Sequence, residues 1–369
     1  MNFDFSDDQK FLKAEARKFL EARCTSSVTR AVLDDPNKRF DPELWKAVAD
    51  MGWIGAAIPE AYGGSGLGHV ELCAIAEELG RVIAPIPFAS SVYIFAEAIM
   101  LAGDGAQKSA LLPGLVRGDL IGCLASAEGP GPISEASTTS RVDGDRLSGV
   151  KTPVTDGDIA THAIVTAHDA VGPGLFIVDL AAEGVTRTAL DTIDPTRSAA
   201  RLVFDNAACQ RLGTGAEDVV SAVLDRAAVL FAFEQVGGAG RCLELAKAYA
   251  MERHAFGRVI ASYQAIKHKL ADMYVKTELA RSHAYFGAWA LASGDATLPT
   301  AAAAARLSAT SAYDFAAKEN LQTHGGMGFT WEVDCHLHLR RSRQLALALG
   351  GPPVWRERLV RRLEQNNAA

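Results

Sequence analysis

The sequence predicts an α+β fold in which a small antiparallel β domain lies between two helical regions. Apolar residues recur at helical spacing in the first and last thirds, whereas the middle third has short apolar runs separated by turn dipeptides. Strands and helices do not alternate as they would in a parallel dinucleotide-binding sheet. We therefore predict a helical domain over 1–118, a β-barrel-like domain over 119–214 and a helical domain over 215–369.

The first region has recognisable helix starts. Ser6 followed by Gln9 is typical of a capping box, in which the two side chains bond each other's backbone N–H groups. Pro42 suits the first turn of a second helix, because its missing N–H costs nothing there, and Gly52 ends that helix.

The middle and last regions are read in the same way. Asp143-Gly144 and Pro173-Gly174 predict turns between short strands. Long helices are then predicted over 218–251, over 262–293 and from Pro299 to Asn320.

Composition excludes several classes of protein. The 369 residues include 44 acidic and 37 basic side chains, and a net charge of -7 argues against nucleic-acid binding. No apolar run approaches the roughly 20 residues of a membrane span. The N-terminus lacks the basic-then-apolar pattern of a signal peptide. The six cysteines are scattered, so we predict reduced thiols in a cytoplasmic protein.

Two local patterns suggest ligands but have simpler interpretations. The glycines of GGAGR (237–241) lie inside a helical pattern rather than after a strand, so we predict close helix packing instead of a phosphate loop. A metal site would need convergent ligands, and neighbours two apart on a helix point to different sides. We therefore predict no metal at Asp334, Cys335, His336 and His338.

Arginines are frequent in the last 30 residues. Guanidinium groups suit a solvated helix face, and they also suit phosphate. The sequence leaves both interpretations open for Arg340, Arg341, Arg343, Arg356, Arg358, Arg361 and Arg362.

Three segments resemble a known family when taken together and in order. They are IPEAYGGSG (58–66), AMERHAFGRVIASYQAIKHKLADM (250–273) and ENLQTHGGMGF (319–329). With the helix–sheet–helix layout, they resemble the FAD-dependent acyl-CoA dehydrogenases over essentially the whole chain. The resemblance implies α,β-dehydrogenation of an acyl-CoA thioester, in which a carboxylate removes the α-proton and the flavin takes the β-hydride. It also implies an electron-transfer flavoprotein as electron acceptor, and a homo- or hetero-tetramer.

The resemblance assigns most FAD-binding residues to the surface that one subunit lends to its neighbour. A guanidinium suits a pyrophosphate, an aromatic ring suits the flavin or adenine, and glycines let backbone N–H groups approach phosphate. The lent residues are Arg253, Phe256, Gln264, Gln322, Gly325, Gly326 and Gly328.

The flavin-facing β region departs from the family. The family's Thr-Glu-Pro and Gly-Ser-Asp loop is replaced by SAEGPGPISEAS (126–137), and its Trp-Ile-Thr strand is replaced by Pro153-Val154-Thr155. Of that set only Thr155 is kept.

The usual catalytic base is also replaced. An ungapped count from Gly325 places Leu349 at the position of the family's glutamate, and leucine cannot accept a proton. Some members carry the base on the long helix, at the position of Ala227. Glu234 lies two turns further along the same face and is the candidate that remains. Its alternative role is that of a buried polar residue at a helix contact.

We therefore expect an acyl-CoA dehydrogenase and leave its assembly open. One hypothesis is a subunit that completes the FAD site of a glutamate-bearing sister, in a heteromer acting on a bulky or steroid-like thioester. The alternatives are a homotetramer that uses Glu234, a non-catalytic binding subunit, and a flavin oxidase or monooxygenase on the same fold.

Overall fold

The computed structural model describes residues 5–130, 138–213 and 219–368, with the side chains of 366–368 excepted. Two compact units divide the chain. The first contains residues 1–30, 69–84 and 228–369, and the second contains residues 31–68 and 85–227. Because these units follow spatial packing rather than chain order, the three-domain division at 118/119 and 214/215 stays a proposal.

The first unit is helical. Its N-terminal helix begins as predicted, because Ser6 and Gln9 form both hydrogen bonds of the capping box. The first two predicted long helices lie within two residues of their predicted bounds, whereas the third continues to His324 rather than Asn320. The helices are α1 (Asp7–Arg23), α4 (His69–Arg81), most of α7 (Val219–Glu252), α8 (Gln264–Ser293), α9 (Leu298–His324), α10 (Cys335–Leu347) and α11 (Pro352–Ala368).

The second unit combines short helices with a sheet. Its helix α3 starts at Pro42, and Asp41 caps it by accepting a hydrogen bond from the Leu44 N–H at 2.8 Å. The helical elements are α3 (Pro42–Asp50), a π-helical segment (Ala89–Ala96), α5 (Glu97–Ala102) and α6 (Gly105–Val116). The short helix α2 (Ser26–Leu33) spans the boundary between the two units.

The sheet of the second unit has eight strands. They are β1 (Gly122–Ala125), β2 (Arg141–Asp143), β3 (Arg146–Thr155), β4 (His162–His168), β5 (Pro173–Asp179), β6 (Val185–Leu190), β7 (Ala199–Ala208) and β8 (Gln210–Arg211). The order is β6-β7-β3-β2-β4-β5-β8, with β1 also paired to β4. Most pairs are antiparallel, as predicted, but β1 and β2 pair with β4 in parallel. The sheet is therefore mixed.

One of the two predicted turns is correct. The β2–β3 hairpin turns at Asp143-Gly144, where Gly144 has φ +59°. The prediction at Pro173-Gly174 is wrong, because those residues begin β5. The turn lies just before them, where the backbones of Asp169 and Gly172 bond each other and the Asp169 carboxylate accepts the N–H groups of Val171 and Gly172.

All six cysteines are free thiols. Among the residues that the structure describes, no helix combines the length and apolarity needed to cross a bilayer.

Ion pairs fasten α1 to α4 and α8 inside the first unit. Buried Glu77 pairs with both Lys13 and Arg281. Beside it, Arg17 donates two hydrogen bonds of 2.9 Å to the carboxylate of Glu78. Burial alone would raise the pKa of Glu77, but the charges of Lys13 and Arg281 lower it below its ordinary value.

We expect Glu77 to make stability depend on pH. A carboxylate with a lowered pKa in the folded state stabilises the protein above its unfolded-state pKa and loses that contribution as the pH falls through the folded-state pKa. Below pH 4.5, the ordinary carboxyl pKa, the unfolding free energy of wild type should decrease as the pH falls. In the Glu77→Gln variant this decrease should be smaller, because the titrating carboxyl group is absent. Urea unfolding from pH 7 to pH 3 measures this. Exposed Glu43→Gln is the control, and equal slopes in the two variants would contradict the prediction.

Candidate functional site

A tight hairpin projects from the C-terminal end of α7. Strands β9 (His254–Ala255) and β10 (Arg258–Val259) are antiparallel, and the turn residues Phe256 and Gly257 have φ of +54° and +80°. Two positive φ values are typical of a type I′ turn, which suits the twist of paired strands. The Arg253 N–H still bonds the Tyr249 carbonyl at 2.9 Å, so the hairpin continues directly from the helix.

Phe256 is the most exposed large apolar side chain of the described residues, at 98%. It also adopts a left-handed conformation that bulky residues avoid. The exposed apolar ring and the strained backbone both cost free energy in the isolated chain. A phenyl ring held outward in this way is expected to contact another molecule.

A glycine corner follows α9. Gly325 has φ +60° and ψ -139°, which only glycine adopts readily. A Cβ on Gly326 would meet nothing within 4 Å, whereas a Cβ on Gly328 would lie 2.4 Å from the Leu321 carbonyl oxygen. Gly326 therefore leaves its backbone open to an approaching group, and Gly328 serves the packing of the corner.

The hairpin and the corner belong to one framework. The ring of Tyr249, one turn before Arg253, stacks on His324 with centroids 4.1 Å apart. His324 is in turn fixed by a 2.9 Å hydrogen bond between its Nδ1 and the Asn320 carbonyl. Gln322, on the last turn of α9, and Gln264, the first residue of α8, are exposed. The tyrosine–histidine contact was not predicted from the sequence.

Thr155 lies in the second unit, at the end of β3. It pairs with Ala199 of β7 and is half-buried. Pro153, at the family's tryptophan position, is exposed, while Val154 is fully buried. Of the replaced loop, residues 131–137 lie outside the described residues.

Glu234 is fully buried in the helical unit. Its Oε1 lies 3.3 Å from a guanidinium nitrogen of Arg341, which is also fully buried. The next residue, Gln235, accepts a 2.7 Å hydrogen bond from Arg306. Burial lowers the pKa of Arg306 to about 9, although the charge of Glu234 opposes this shift. This ion-paired setting matches the structural alternative for Glu234.

Leu349 occupies the short segment between α10 and α11. It is 3% exposed, and its carbonyl accepts a 3.1 Å hydrogen bond from the Trp355 indole. The side chain is therefore packed, and nothing at this position can accept a proton.

Comparison with known proteins decides the family. Models of the acyl-CoA dehydrogenase N-terminal and C-terminal domains match residues 6–119 and 213–364. The chain is 32% identical to acyl-CoA dehydrogenase IpdE2 of Mycobacterium tuberculosis, over 97% of this chain and 96% of that protein. It is 31% identical to FadE27 of the same organism over the full length of both. The chain belongs to the acyl-CoA dehydrogenase family.

Solved structures agree with this assignment. A variant of the Tcur3481-Tcur3483 steroid ACAD is similar with a TM-score of 0.90 and 32% identity, over 98% of this chain and 99% of that one. The ChsE4-ChsE5 complex from Mycobacterium tuberculosis is similar with a TM-score of 0.90 and 28% identity, over 99% of both chains. Acyl-CoA dehydrogenases are FAD-dependent oxidoreductases that act on CH–CH bonds, and this activity class applies to the chain.

The lent half of an acyl-CoA dehydrogenase FAD site fits this structure. Phe256 offers an uncovered ring, Arg253 is exposed, and Gly326 leaves space where a Cβ would stand. These are the features that an aromatic ring system and a pyrophosphate require. Of the family's flavin-facing residues in the β region, the described part of this chain keeps only Thr155. The assignment of individual FAD contacts is a proposal.

We expect Phe256→Asn to separate stability from cofactor binding. Asparagine tolerates positive φ, so the free energy of unfolding should stay the same or rise by about 1 kcal/mol. FAD retention by an assembled complex should fall, because the exposed ring is lost. Urea unfolding and flavin absorbance after gel filtration measure the two effects. A loss of stability without a loss of flavin would contradict the prediction.

The GGAGR segment serves helix packing, as predicted. A Cβ on Gly237 would lie 1.8 Å from the Glu77 carbonyl oxygen, and a Cβ on Gly238 would lie 2.4 Å from the Tyr313 ring. These contacts leave no room for a phosphate.

Three of the four residues considered for a metal have separate partners. Asp334 pairs with Arg30 at 2.8 Å, and His336 stacks on Trp331 with centroids 4.5 Å apart. His338 bonds the Tyr313 hydroxyl at 3.0 Å, and burial lowers its pKa to about 3, so the ring is neutral. The fourth, Cys335, is buried. Within the described residues, no group of three or more His, Cys, Asp or Glu side chains converges.

Six of the seven C-terminal arginines also have individual partners, and the seventh, Arg356, is exposed. Arg341 pairs with Glu234, Arg343 with Asp314 and Arg361 with Glu357. Arg340 and Arg358 lie over tryptophan rings, and Arg362 donates to the Pro299 carbonyl. This distribution favours structural roles over a shared phosphate site.

A buried ion pair in the β region was missed by the sequence reasoning. Fully buried Lys151 donates to Glu128 at 2.7 Å and to the Thr166 hydroxyl at 3.0 Å. Burial alone would raise the pKa of Glu128, but hydrogen bonds from Lys151, Thr139 and Ser140 lower it below its usual range. The available signal was a lysine inside a predicted strand, RLSGVKTPV. The pair fixes the first residues of the replaced loop onto β3.

Proposed function

We propose that this chain is the subunit without the catalytic base in a heteromeric FAD-dependent acyl-CoA dehydrogenase. It completes the FAD site of a sister subunit that supplies the carboxylate. The observation that carries the proposal is Phe256, which is held outward at 98% exposure on a hairpin anchored to the main helical framework. A residue so placed serves a neighbouring molecule rather than its own chain.

The residues of this chain that were considered as the base support a base supplied by the sister subunit. Leu349 cannot accept a proton, and Glu234 is fully buried in an ion pair with Arg341. A general base must reach the substrate proton at hydrogen-bonding distance. A carboxylate whose charge stabilises a buried guanidinium is a poor choice for that task, because protonation would leave the guanidinium unpaired.

The surface around the hairpin supports assembly. Apolar side chains of the α7 end, of α8 and of the corner are between 42% and 98% exposed, which is typical of an interface. They are Met251, Phe256, Tyr274, Val275, Leu279, Met327 and Phe329.

The relatives support a two-component enzyme. The two similar structures are named for pairs of proteins, Tcur3481-Tcur3483 and ChsE4-ChsE5, and the first is described as a steroid ACAD. Another relative, FadE34, is 31% identical over 96% of this chain but only 48% of its own length. The rest of that protein is long enough for a second copy of this fold. We infer a bulky, steroid-like acyl-CoA as the substrate class.

Each lent residue has a defined part in this proposal. When bound, FAD would supply the acceptor for the β-hydride, and the sister's carboxylate would remove the α-proton of the thioester. Arg253 binds the pyrophosphate charge, and Phe256 covers one face of a ring and excludes water. Gln264 and Gln322 offer hydrogen bonds, and the open backbone at Gly326 receives phosphate oxygens. We place the enzyme in the cytoplasm, with an electron-transfer flavoprotein as acceptor.

The decisive experiment is co-expression with a candidate sister subunit, an acyl-CoA dehydrogenase of the same organism that carries the catalytic glutamate. We expect the chain alone to purify colourless, and the complex to contain one FAD for every pair of chains and to reduce an electron-transfer flavoprotein. Phe256→Ala in this chain should strip flavin from the complex, whereas the control Phe11→Ala, which removes a 69% exposed phenyl ring from α1, should not.

Other results would overturn the proposal. If the chain alone binds FAD and dehydrogenates acyl-CoA, the enzyme is a self-sufficient homotetramer. If the complex has neither bound flavin nor turnover, the chain is a non-catalytic structural subunit. Rapid consumption of O₂ by the complex would identify a flavin oxidase or monooxygenase instead.

A further inference from the structure

We propose that Arg258, supported by the ring of Tyr263, is a second phosphate-binding residue that acts beside Arg253 on the FAD pyrophosphate. The inference rests on the proposed function, because it concerns the same cross-subunit site.

The strand register places both arginines on one face of the hairpin. Arg258 pairs with Ala255, and two pairs further on the Ile260 N–H bonds the Arg253 carbonyl at 2.8 Å. Side chains alternate between the two faces of a strand, so Arg253, Ala255 and Arg258 share a face. Diagonal neighbours of this kind are about 7–8 Å apart, within reach of two long side chains that converge on one group.

Tyr263 holds Arg258 in place. The guanidinium carbon of Arg258 lies 4.1 Å from the centroid of the Tyr263 ring, which is a cation–π contact. The Tyr263 hydroxyl donates a 2.9 Å hydrogen bond to the Ala255 carbonyl, so the ring is fixed to the opposite strand of the same hairpin. A guanidinium positioned in this way loses less side-chain entropy when it binds an anion.

Among the described residues, neither hairpin arginine has an acidic partner. Across residues 5–130, 138–213 and 219–368, no ion pair involves Arg253 or Arg258, and both are exposed. Other arginines, such as Arg81, Arg226 and Arg341, pair with carboxylates. Two uncompensated guanidinium groups on one rigid face suit a dianionic ligand.

The ligand that fits is a pyrophosphate rather than a single phosphate. Its two linked phosphates offer each guanidinium fork a phosphate of its own, whereas a single phosphate would have to serve both forks. FMN carries one phosphate and no adenylate half. Arg258 should therefore matter for FAD and much less for FMN, which gives the inference a test that does not depend on turnover.

The test measures dissociation constants of the apo-complex for FAD and for FMN by flavin fluorescence. We expect Arg258→Gln to weaken FAD binding about 10- to 100-fold, the effect of losing a charged hydrogen bond, and FMN binding less than threefold. Tyr263→Leu, which removes the supporting ring, should weaken FAD binding by a smaller factor. The control is Arg356→Gln, an exposed arginine of α11, with no expected effect on either flavin.

Three outcomes overturn the inference. In the first, Arg258→Gln leaves FAD affinity as unchanged as Arg356→Gln does, although Arg253→Gln weakens FAD binding. In the second, Arg258→Gln weakens the binding of FAD and of FMN by the same factor. If Arg258→Gln does not fold, Arg258→Lys replaces it, and unchanged FAD affinity then counts against a forked contact. The proposed function fails differently, since Arg253→Gln and Phe256→Ala would then leave the flavin content of the complex unchanged.

Discussion

Replacing Glu234 by glutamine should lower the free energy of unfolding by about 3–5 kcal/mol and leave the turnover of the folded complex unchanged. The reason is the pairing of Glu234 with Arg341, in which both side chains are fully buried. Removing one partner of a buried ion pair leaves the other charge without compensation. Urea unfolding measures the first effect, and the rate per bound flavin measures the second.

Two controls sharpen this expectation. The combined variant Glu234→Leu with Arg341→Met should recover most of the lost stability, because apolar residues of similar volume replace a buried pair without penalty. Glu357→Gln breaks the exposed pair with Arg361 and should cost less than about 1 kcal/mol. A turnover loss of several orders of magnitude in Glu234→Gln, with flavin retained, would instead identify Glu234 as the base.

Gly237→Ala should be among the most destabilising single-methyl substitutions in the chain. The added Cβ would lie 1.8 Å from the Glu77 carbonyl oxygen, so α4 and α7 would have to separate. Overpacking against backbone costs about 3 kcal/mol or more, since backbone cannot rotate away as a side chain can. The midpoint of urea unfolding measures the effect.

Gly326→Ala is the matched comparison. A Cβ there meets nothing within 4 Å, so we expect stability within about 0.5 kcal/mol of wild type. Its effect should appear in the FAD affinity of the complex, because the methyl group would occupy the space left for phosphate. Equal destabilisation by the two substitutions would contradict the distinction between the packing glycine and the binding glycine.

Local signals were read correctly from the sequence. The Ser6–Gln9 capping box and the Asp143-Gly144 turn depend on neighbouring residues only, and both occur as predicted. The family fold was recognised because its motifs are contiguous in the chain, whereas the lent FAD-binding surface stays a prediction. The end of α9 was predicted four residues early, since the helix continues to His324 and ends at its C-cap Gly325, which has φ +60° and ψ -139°.

Long-range contacts could not be predicted in the same way. Glu234 and Arg341 are 107 residues apart, and Glu128 and Lys151 meet only after a strand has paired. The parallel pairing of β1 and β2 with β4 depends on how distant segments cross within the sheet. Periodicity identifies which residues are buried but not the partners they meet.

The exposed hairpin makes flavin occupancy a thermodynamic measure of assembly. If half of the FAD contacts come from Arg253, Phe256 and their neighbours on a second chain, FAD binds the associated state more tightly than the separated chains. Linkage then requires that FAD tighten the association by the same factor. Diluting the complex should release flavin, and excess FAD should delay dissociation. The concentration of FAD and the abundance of both subunits would thus together set the amount of working enzyme.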